Sequence, residues 1–161
     1  MFTLDGIRQF HRWTHQSLGL LFDHLATLSP DDYTRELPGF GYPSLRAQVV
    51  HLLGCEIRWL NRILSLPQRD WNPAHWPAVP DARALQAEAQ AMTLAYLAQL
   101  SELQLNTPIH IPFPEVHDLT RTPALILHHM LTHAFHHKGQ IVAMCRTLGY
   151  PAPMTDLFLF D

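Results

Sequence analysis

The sequence is poor in basic residues and in cysteine. Lysine occurs once, at Lys138, and the 11 lysines and arginines are outnumbered by 14 acidic residues, which gives a net charge of −3. Because no basic stripe is available to displace counterions from a phosphate backbone, we expect no nucleic-acid partner. The two cysteines, Cys55 and Cys145, are far apart in sequence. They form neither a disulfide framework nor a CxxC metal site, and reduced core thiols are the simplest interpretation.

Long apolar runs are also missing. No run approaches the roughly 20 residues that span a membrane, and the first ten residues lack the basic-then-apolar order of a signal peptide. We therefore expect a cytoplasmic protein with no membrane partner. The length of 161 residues and the hydrophobic content of 47% are enough for one packed core, which predicts a single domain over residues 1–161.

What the sequence does contain is four stripes of apolar residues with helical spacing. They cover residues 4–28, 45–64, 84–103 and 123–149. Ser44, Asp81 and Thr122 precede the last three stripes and are suitable N-caps, and Pro123 suits a first helical position. Breaks rich in proline and glycine separate the stripes. This pattern predicts an all-α fold, an up-down four-helix bundle.

The connections between these helices differ in character. Residues 67–80 carry Trp71 and Trp76 among several prolines, which predicts a long ordered crossover between helices two and three rather than a flexible linker. Residues 109–113 alternate in hydrophobicity and could form a short strand, but Pro112 limits such a strand to an edge or turn, and we predict a loop there. The tail, residues 151–161, is too apolar to extend into water. It should either fold back on the bundle or meet a second subunit, and the second alternative would make the protein a homodimer.

Histidine is unusually abundant, with 12 residues. On the fourth predicted helix His129, His133, His137 and Gln140 share one face, because steps of three or four residues keep a side chain in one sector. Two histidines four residues apart form a suitable pair of ligands for a divalent ion. The pattern alone leaves a solvated, histidine-rich helix surface open as an alternative, and His129 remains a possible extra ligand.

His51 lies within the apolar stripe of the second helix, where an unpaired imidazole would be costly. It is either a core histidine hydrogen-bonded to a carbonyl or a third metal ligand. Cys55 follows four residues later and is a conceivable fourth ligand, although a small core side chain is its more ordinary role. Glu56 is rotated away from His51, and we expect it to form a buried ion pair with Arg12 or Arg58.

Several of these segments together resemble the DinB/YfiT-like superfamily. The likeness rests on residues 133–141 of the fourth helix, on residues 44–51 with Glu56 and Trp59 in the second, and on residues 10–13 and 148–151. Lys138 and His15 depart from the usual pattern. The resemblance implies a bundle that binds one divalent metal ion, most simply Zn or Ni, through His51, His133 and His137. His136 is then expected beside the site rather than in it.

The resemblance also implies a function. Some members are metal-dependent transferases or isomerases that use a small thiol such as bacillithiol, mycothiol or glutathione. Three nitrogen ligands leave one coordination position open, where a thiol could bind as thiolate and attack an electrophilic small molecule, with Gln140 supporting the substrate. The alternatives are a non-catalytic metal-binding or stress-induced bundle and a metal-free interaction bundle. A ferritin-type di-iron site would need Glu-x-x-His pairs, which the sequence lacks. Metal binding should weaken below the ordinary histidine pKa of about 6.5.

Overall fold

The computed structural model describes residues 2–113 and 119–161. Its α-helices, in chain order, are α1 (Leu4–Leu25), α2 (Pro30–Thr34), α3 (Leu45–Ile63), α4 (Val79–Gln99), α5 (Glu102–Asn106) and α6 (Pro123–Thr147). Two short strands, β1 (Ile109–Ile111) and β2 (Leu119–Arg121), and two single turns of 3-10 helix, Pro73–His75 and Leu157–Leu159, complete the regular structure of these residues.

The four long helices form the bundle. Both α1 and α3 pack against both α4 and α6, with the most extensive contact between α3 and α6. The interior holds two buried apolar clusters, one around Leu53 and Met144 and the other around Leu97 and Leu127. The predicted all-α fold is thus confirmed. Within the described residues, no helix combines the length and apolarity that crossing a membrane requires.

Side-chain caps fix where the helices begin. Ser44 accepts a hydrogen bond from the Ala47 N–H at the start of α3, and Thr122 accepts one from the Leu125 N–H at the start of α6. Each satisfies one of the amide groups that the first helical turn leaves without a partner. Gly149 ends α6 with a φ of 88°, a left-handed conformation that glycine adopts without steric cost. These predicted boundaries are correct to within two residues.

Other predicted boundaries were wrong. The first helix ends at Leu25 rather than at residue 28, because Ser29 and Pro30 start the separate helix α2. The third long helix begins at Val79, and Asp81 accepts a hydrogen bond from the Ala78 N–H from within the first turn instead of preceding the helix. It also ends at Gln99, since Ser101 caps α5.

The predicted loop at residues 109–113 is also wrong. Ile109–Ile111 forms β1, which pairs antiparallel with β2 so that His110 faces Thr120. Pro112 lies directly after the strand, and its missing N–H therefore falls outside the ladder. Ile111 is fully buried in the cluster around Leu97 and Leu127. Ile109 and Leu119 also pack against this cluster, so tertiary packing holds a strand pair that is too short for a local signal.

The crossover between α3 and α4 is ordered, and its tryptophans pack as predicted. Trp71 stacks on Trp76, with ring centroids 5.5 Å apart and planes at 13°. The indole of Trp71 also lies flat against α3 at Gly54. A Cβ on Gly54 would sit 2.6 Å from Trp71 Cε3, so a larger residue would displace the indole or the helix.

We predict that two glycine-to-alanine substitutions have opposite effects on the stability of the protein. Gly139→Ala meets no neighbour within 4 Å and should stabilise α6 by about 0.8–1.0 kcal/mol through helix propensity. Gly54→Ala gains the same propensity but overpacks Trp71, which costs about 1–3 kcal/mol. Chemical denaturation should therefore place Gly54→Ala about 1–3 kcal/mol below Gly139→Ala. Equal stabilities would mean that Trp71 does not seat on Gly54.

The C-terminal tail is hydrogen-bonded to the bundle at Thr155. The Thr155 carbonyl accepts hydrogen bonds from Ser17 Oγ (2.7 Å) and from Lys138 Nζ (2.8 Å), which ties the tail to α1 and α6. Beyond it, Phe158 is 76% exposed. The tail thus folds back only in part, and the homodimer stays a prediction that sedimentation at micromolar concentration would test.

Candidate metal centre

Three imidazoles meet between α3 and α6. His51 lies on α3, and His133 and His137 lie one turn apart on α6. The Nε2 atom of His133 is 3.2 Å from Nε2 of His51 and 3.2 Å from Nε2 of His137. One ligand atom from each residue lies within 4.8 Å of the others, and this group could hold a metal ion. The structure thus places the three predicted residues side by side.

The protonation of His137 follows from its partner Gln48. The Gln48 amide nitrogen donates to the Tyr42 carbonyl (3.0 Å) and to Gln140 Oε1 (2.6 Å). Because a carbonyl can only accept, these contacts fix which end of the Gln48 amide is the oxygen. That oxygen is 2.7 Å from Nδ1 of His137, which must therefore donate. A neutral His137 then presents a bare lone pair on Nε2 to the other two rings.

His51 has the opposite constraint. A guanidinium nitrogen of Arg58 lies 3.3 Å from Nδ1 of His51, and a guanidinium can only donate. The proton of a neutral His51 therefore sits on Nε2 and points at His133. His133 Nε2 thus has an N–H on one side and a lone pair on the other. Neither of its tautomers satisfies both 3.2 Å contacts.

A divalent cation would remove this conflict, because all three Nε2 atoms could then direct lone pairs at one point. Tetrahedral zinc with Zn–N bonds of 2.0–2.1 Å separates its nitrogen ligands by about 3.3–3.4 Å. The observed separations of 3.2 Å are close to that value. Three imidazoles are also a donor set that zinc and neighbouring transition metals accept. The residues present therefore fit a divalent ion.

The surroundings keep these rings neutral. Burial, followed by the neighbouring histidines, lowers the pKa of His51 to about 3 and that of His133 to about 4. Burial and the nearby His136 lower the pKa of His137 to about 4. Neutral imidazole is the form that ligates metals, so the site is in its binding form well below neutral pH.

An aromatic ring and a cavity border the group. Tyr42 stacks on His51 with ring centroids 3.8 Å apart at 22°, and its edge approaches His137. Beside His51 opens a cavity of about 380 Å³, whose wall includes Arg58 of α3 and Trp71 of the crossover. A small molecule in this cavity would lie next to one of the three histidines.

The remaining histidines of α6 and Cys55 lie outside the group. His129 is exposed and His136 is exposed, each in ring contact with a neighbouring histidine of α6. Cys55 is buried, and burial raises the pKa of its thiol to about 11, as expected for a core side chain. Gln140 accepts from Gln48, and its amide nitrogen is 2.7 Å from Nε2 of His136, so it extends the network around His137.

A second buried cluster lies between α1, α3 and α4. Glu56 is 2.9 Å from Nε2 of His11 and 3.2 Å from Nε2 of His15, and it also accepts a hydrogen bond from the Thr93 hydroxyl. The predicted pairing of Glu56 with Arg12 or Arg58 was therefore wrong. Helix α1 directs two histidines at Glu56, whereas Arg12 is exposed.

The carboxylate of Glu56 is held in its charged form by this cluster. Burial by itself raises the pKa of Glu56, but the hydrogen bonds from His11 and His15 outweigh burial and keep it well below its usual range. His11, His15 and Glu56 also could hold a metal ion. Here, however, each Nε2 already has a carboxylate oxygen to donate to, so no conflict comparable to that at His133 arises.

Partial signals for the functional residues that were missed are present in the sequence. His11 and His15 are four residues apart, the same spacing that singled out His133 and His137, yet no partner was evident. Gln48 lies three residues before His51 and so on a neighbouring face of α3. Its contact with His137 joins residues 89 positions apart, and spacing within one helix does not predict such a contact.

Comparison with known proteins agrees with this architecture. The model of the DinB family matches residues 1–161. Protein DinB of Bacillus subtilis (strain 168) is 25% identical over 162 residues, an alignment that covers 94% of this chain and 91% of that protein. The crystal structure of a DinB-like protein from Bacillus subtilis superposes with a TM-score of 0.65 at 21% identity, covering 92% of this chain and 98% of that one. The chain therefore belongs to the DinB family.

Proposed function

We propose that His51, His133 and His137 bind one divalent metal ion, most simply Zn or Ni, and that the protein transfers a small thiol to an electrophilic substrate. The observation that carries the metal proposal is the conflict at His133, whose two 3.2 Å contacts no tautomer satisfies. The cluster of His11, His15 and Glu56 is the weaker candidate because its hydrogen bonds are complete at Nε2.

The transfer itself is a substitution without a redox change. The thiol gives up its proton to solvent, its sulfur forms a bond to an electrophilic carbon, and the bond from that carbon to its leaving group breaks with the electron pair. A bound divalent ion supplies positive charge and an open position that favour the thiolate form. The protein residues hold this position: Gln48 orients His137, and Tyr42 shields one side of His51.

A non-catalytic metal-binding or stress-induced protein is the alternative. Cobalt-loaded protein titrated with bacillithiol, mycothiol and glutathione separates the two proposals. We expect at least one thiol to produce a sulfur-to-metal charge-transfer band in the near ultraviolet, and the same thiol to react faster with monochlorobimane when metal-loaded protein is present. If no thiol gives the band, and metal-loaded and chelated protein consume the electrophile equally slowly, the non-catalytic proposal replaces the transferase.

Gln48→Met should weaken metal binding about tenfold to a hundredfold. The substitution keeps the volume but removes the acceptor that orients His137, and losing such a partner of a ligand typically has an effect of this size. Gln86→Met is the matched control, because Gln86 donates to the His15 carbonyl, outside the triad. Competition with a chromophoric chelator measures both affinities. Equal affinities in the two variants would mean that Gln48 does not support a ligand.

Metal affinity should change little between pH 7.5 and pH 5.5. A lowered pKa means that protons compete with the metal only at more acid pH, and the pKa values of the three rings lie at about 3 to 4. This revises the expectation from the sequence, since three independent ligands of pKa about 6.5 would lose roughly a thousandfold in affinity over that range. Cobalt titration at both pH values tests it, and a loss of that size would show ordinary histidines.

A further inference from the structure

Two arginines of α3 line the cavity beside His51. We call it the α3 cavity; its wall includes Glu36, Tyr42, Arg46, His51, Arg58 and Trp71. Arg46 and Arg58 are 12 residues apart on α3, about three and a third turns, and both border the same space of about 380 Å³. Glu36 is the one acidic side chain among the described residues of the wall, so the two arginines give this lining a net positive charge.

Neither guanidinium has a carboxylate partner among the described residues. The Nε atom of Arg46 is buried without a hydrogen-bond acceptor, which is a costly state for a charged donor. Arg58 contacts Nδ1 of His51 at 3.3 Å and lies 5.6 Å from the Trp71 ring centroid, and neither contact neutralises it. Glu36 is exposed and makes no ion pair with either arginine in the described part of the chain.

The contact between Arg58 and His51 links the cavity to the triad. A His51 that ligates through Nε2 carries its proton on Nδ1, and the guanidinium can no longer donate there. Arg58 is then free to donate into the α3 cavity. Occupation of the triad and anion binding in the cavity should therefore favour each other.

We propose that the α3 cavity binds a carboxylate of the thiol substrate, with Arg46 and Arg58 as its donors. This inference rests on the function proposed above and names its substrate class: small thiols that carry a carboxylate. A guanidinium donates to both oxygens of a carboxylate, which gives orientation as well as affinity. Glutathione and bacillithiol carry carboxylates, whereas mycothiol has none, so the cavity selects the first two.

The test compares two matched thiols on cobalt-loaded protein. The probes are 3-mercaptopropanoate and its methyl ester, and the charge-transfer band reports their binding. We expect the carboxylate to bind about tenfold to a hundredfold more tightly than the ester, after correction for thiol pKa. Arg46→Gln should reduce this ratio towards one, because it removes a donor to the carboxylate. It should leave the triad unchanged, because Arg46 does not touch it. Arg12→Gln is the control, since it removes the same charge from an exposed position outside the cavity.

A second readout does not depend on sulfur. Calorimetric titration of the same protein with glutarate, a dicarboxylate without a thiol, should give binding that Arg46→Gln abolishes and Arg12→Gln preserves. Glutarate binding without any thiol band supports the carboxylate site and overturns the proposed transferase. Equal binding of the two thiols, with no binding of glutarate, overturns the carboxylate site and leaves the transferase standing. If no thiol gives the band and glutarate does not bind, both the carboxylate site and the transferase proposal are overturned. If Arg46→Gln and Arg58→Gln both leave the preference for the carboxylate over the ester unchanged, the assignment of these two arginines as its donors is overturned.

Discussion

Replacing His133 by alanine should lower the affinity for a divalent ion by about a hundredfold to a thousandfold. This estimate divides the roughly 10–16 kcal/mol of a four-ligand structural zinc site among its ligands. His133 is the ring in contact with both other members, at 3.2 Å from each, so its loss removes both short contacts at once. The measurement is metal content and affinity of protein purified without an affinity tag.

His129→Ala and His136→Ala are the matched controls for that loss. Both residues are exposed histidines of α6, and neither joins the group of converging ligand atoms. Both variants should keep the affinity of the unaltered protein, whereas His51→Ala and His137→Ala should behave like His133→Ala. Loss of metal in His129→Ala with retention in His133→Ala would mean that a different pair of α6 histidines binds the ion.

Glu56→Ala should lower the free energy of unfolding by about 3–5 kcal/mol, the usual cost of removing one partner from a buried charged network. Glu56 is 7% exposed, and its carboxylate accepts hydrogen bonds from His11 of α1 and Thr93 of α4, so it joins three helices. Glu56→Gln keeps the shape and one acceptor, and it should lose less. Urea unfolding of the three proteins gives the comparison.

Glu88→Ala is the control for Glu56→Ala. Glu88 pairs with Arg69 on the surface, where a salt bridge contributes under about 1 kcal/mol. Metal content should stay the same in both glutamate variants, because the proposed ion lies at the histidines of α3 and α6. If Glu56→Ala loses metal but little stability, then Glu56 is a ligand and the second cluster is the metal site.

Periodicity and caps predicted most of the bundle. The stripes of α1, α3 and α6 each bury one face in the core, and this burial determines both the pattern in the sequence and the packing in the fold. Ser44 and Thr122 act as predicted because a cap depends only on residues within one helical turn. The strand pair was missed because its stability comes from pairing between distant residues and from packing against the core, above all that of Ile111.

The parts of the candidate site that depend on local contacts could be predicted, and the parts that depend on long-range contacts could not. The pair His133 and His137 follows from a spacing of four residues on one helix, and His51 stood out because it interrupts an apolar stripe. The partners that determine protonation, Gln48 for His137 and Arg58 for His51, depend on how α3 meets α6 and on side-chain direction. Spacing along one helix does not contain that information.

The most direct test of the metal site is anomalous diffraction from crystals of the protein grown with zinc or nickel and measured on either side of the absorption edge. We predict one peak per chain, about 2.0–2.1 Å from Nε2 of His51, His133 and His137 for zinc, with Nδ1 of His137 still donating to Gln48. A peak between His11, His15 and Glu56 with none at the three histidines, or no bound peak at either cluster, would contradict the account.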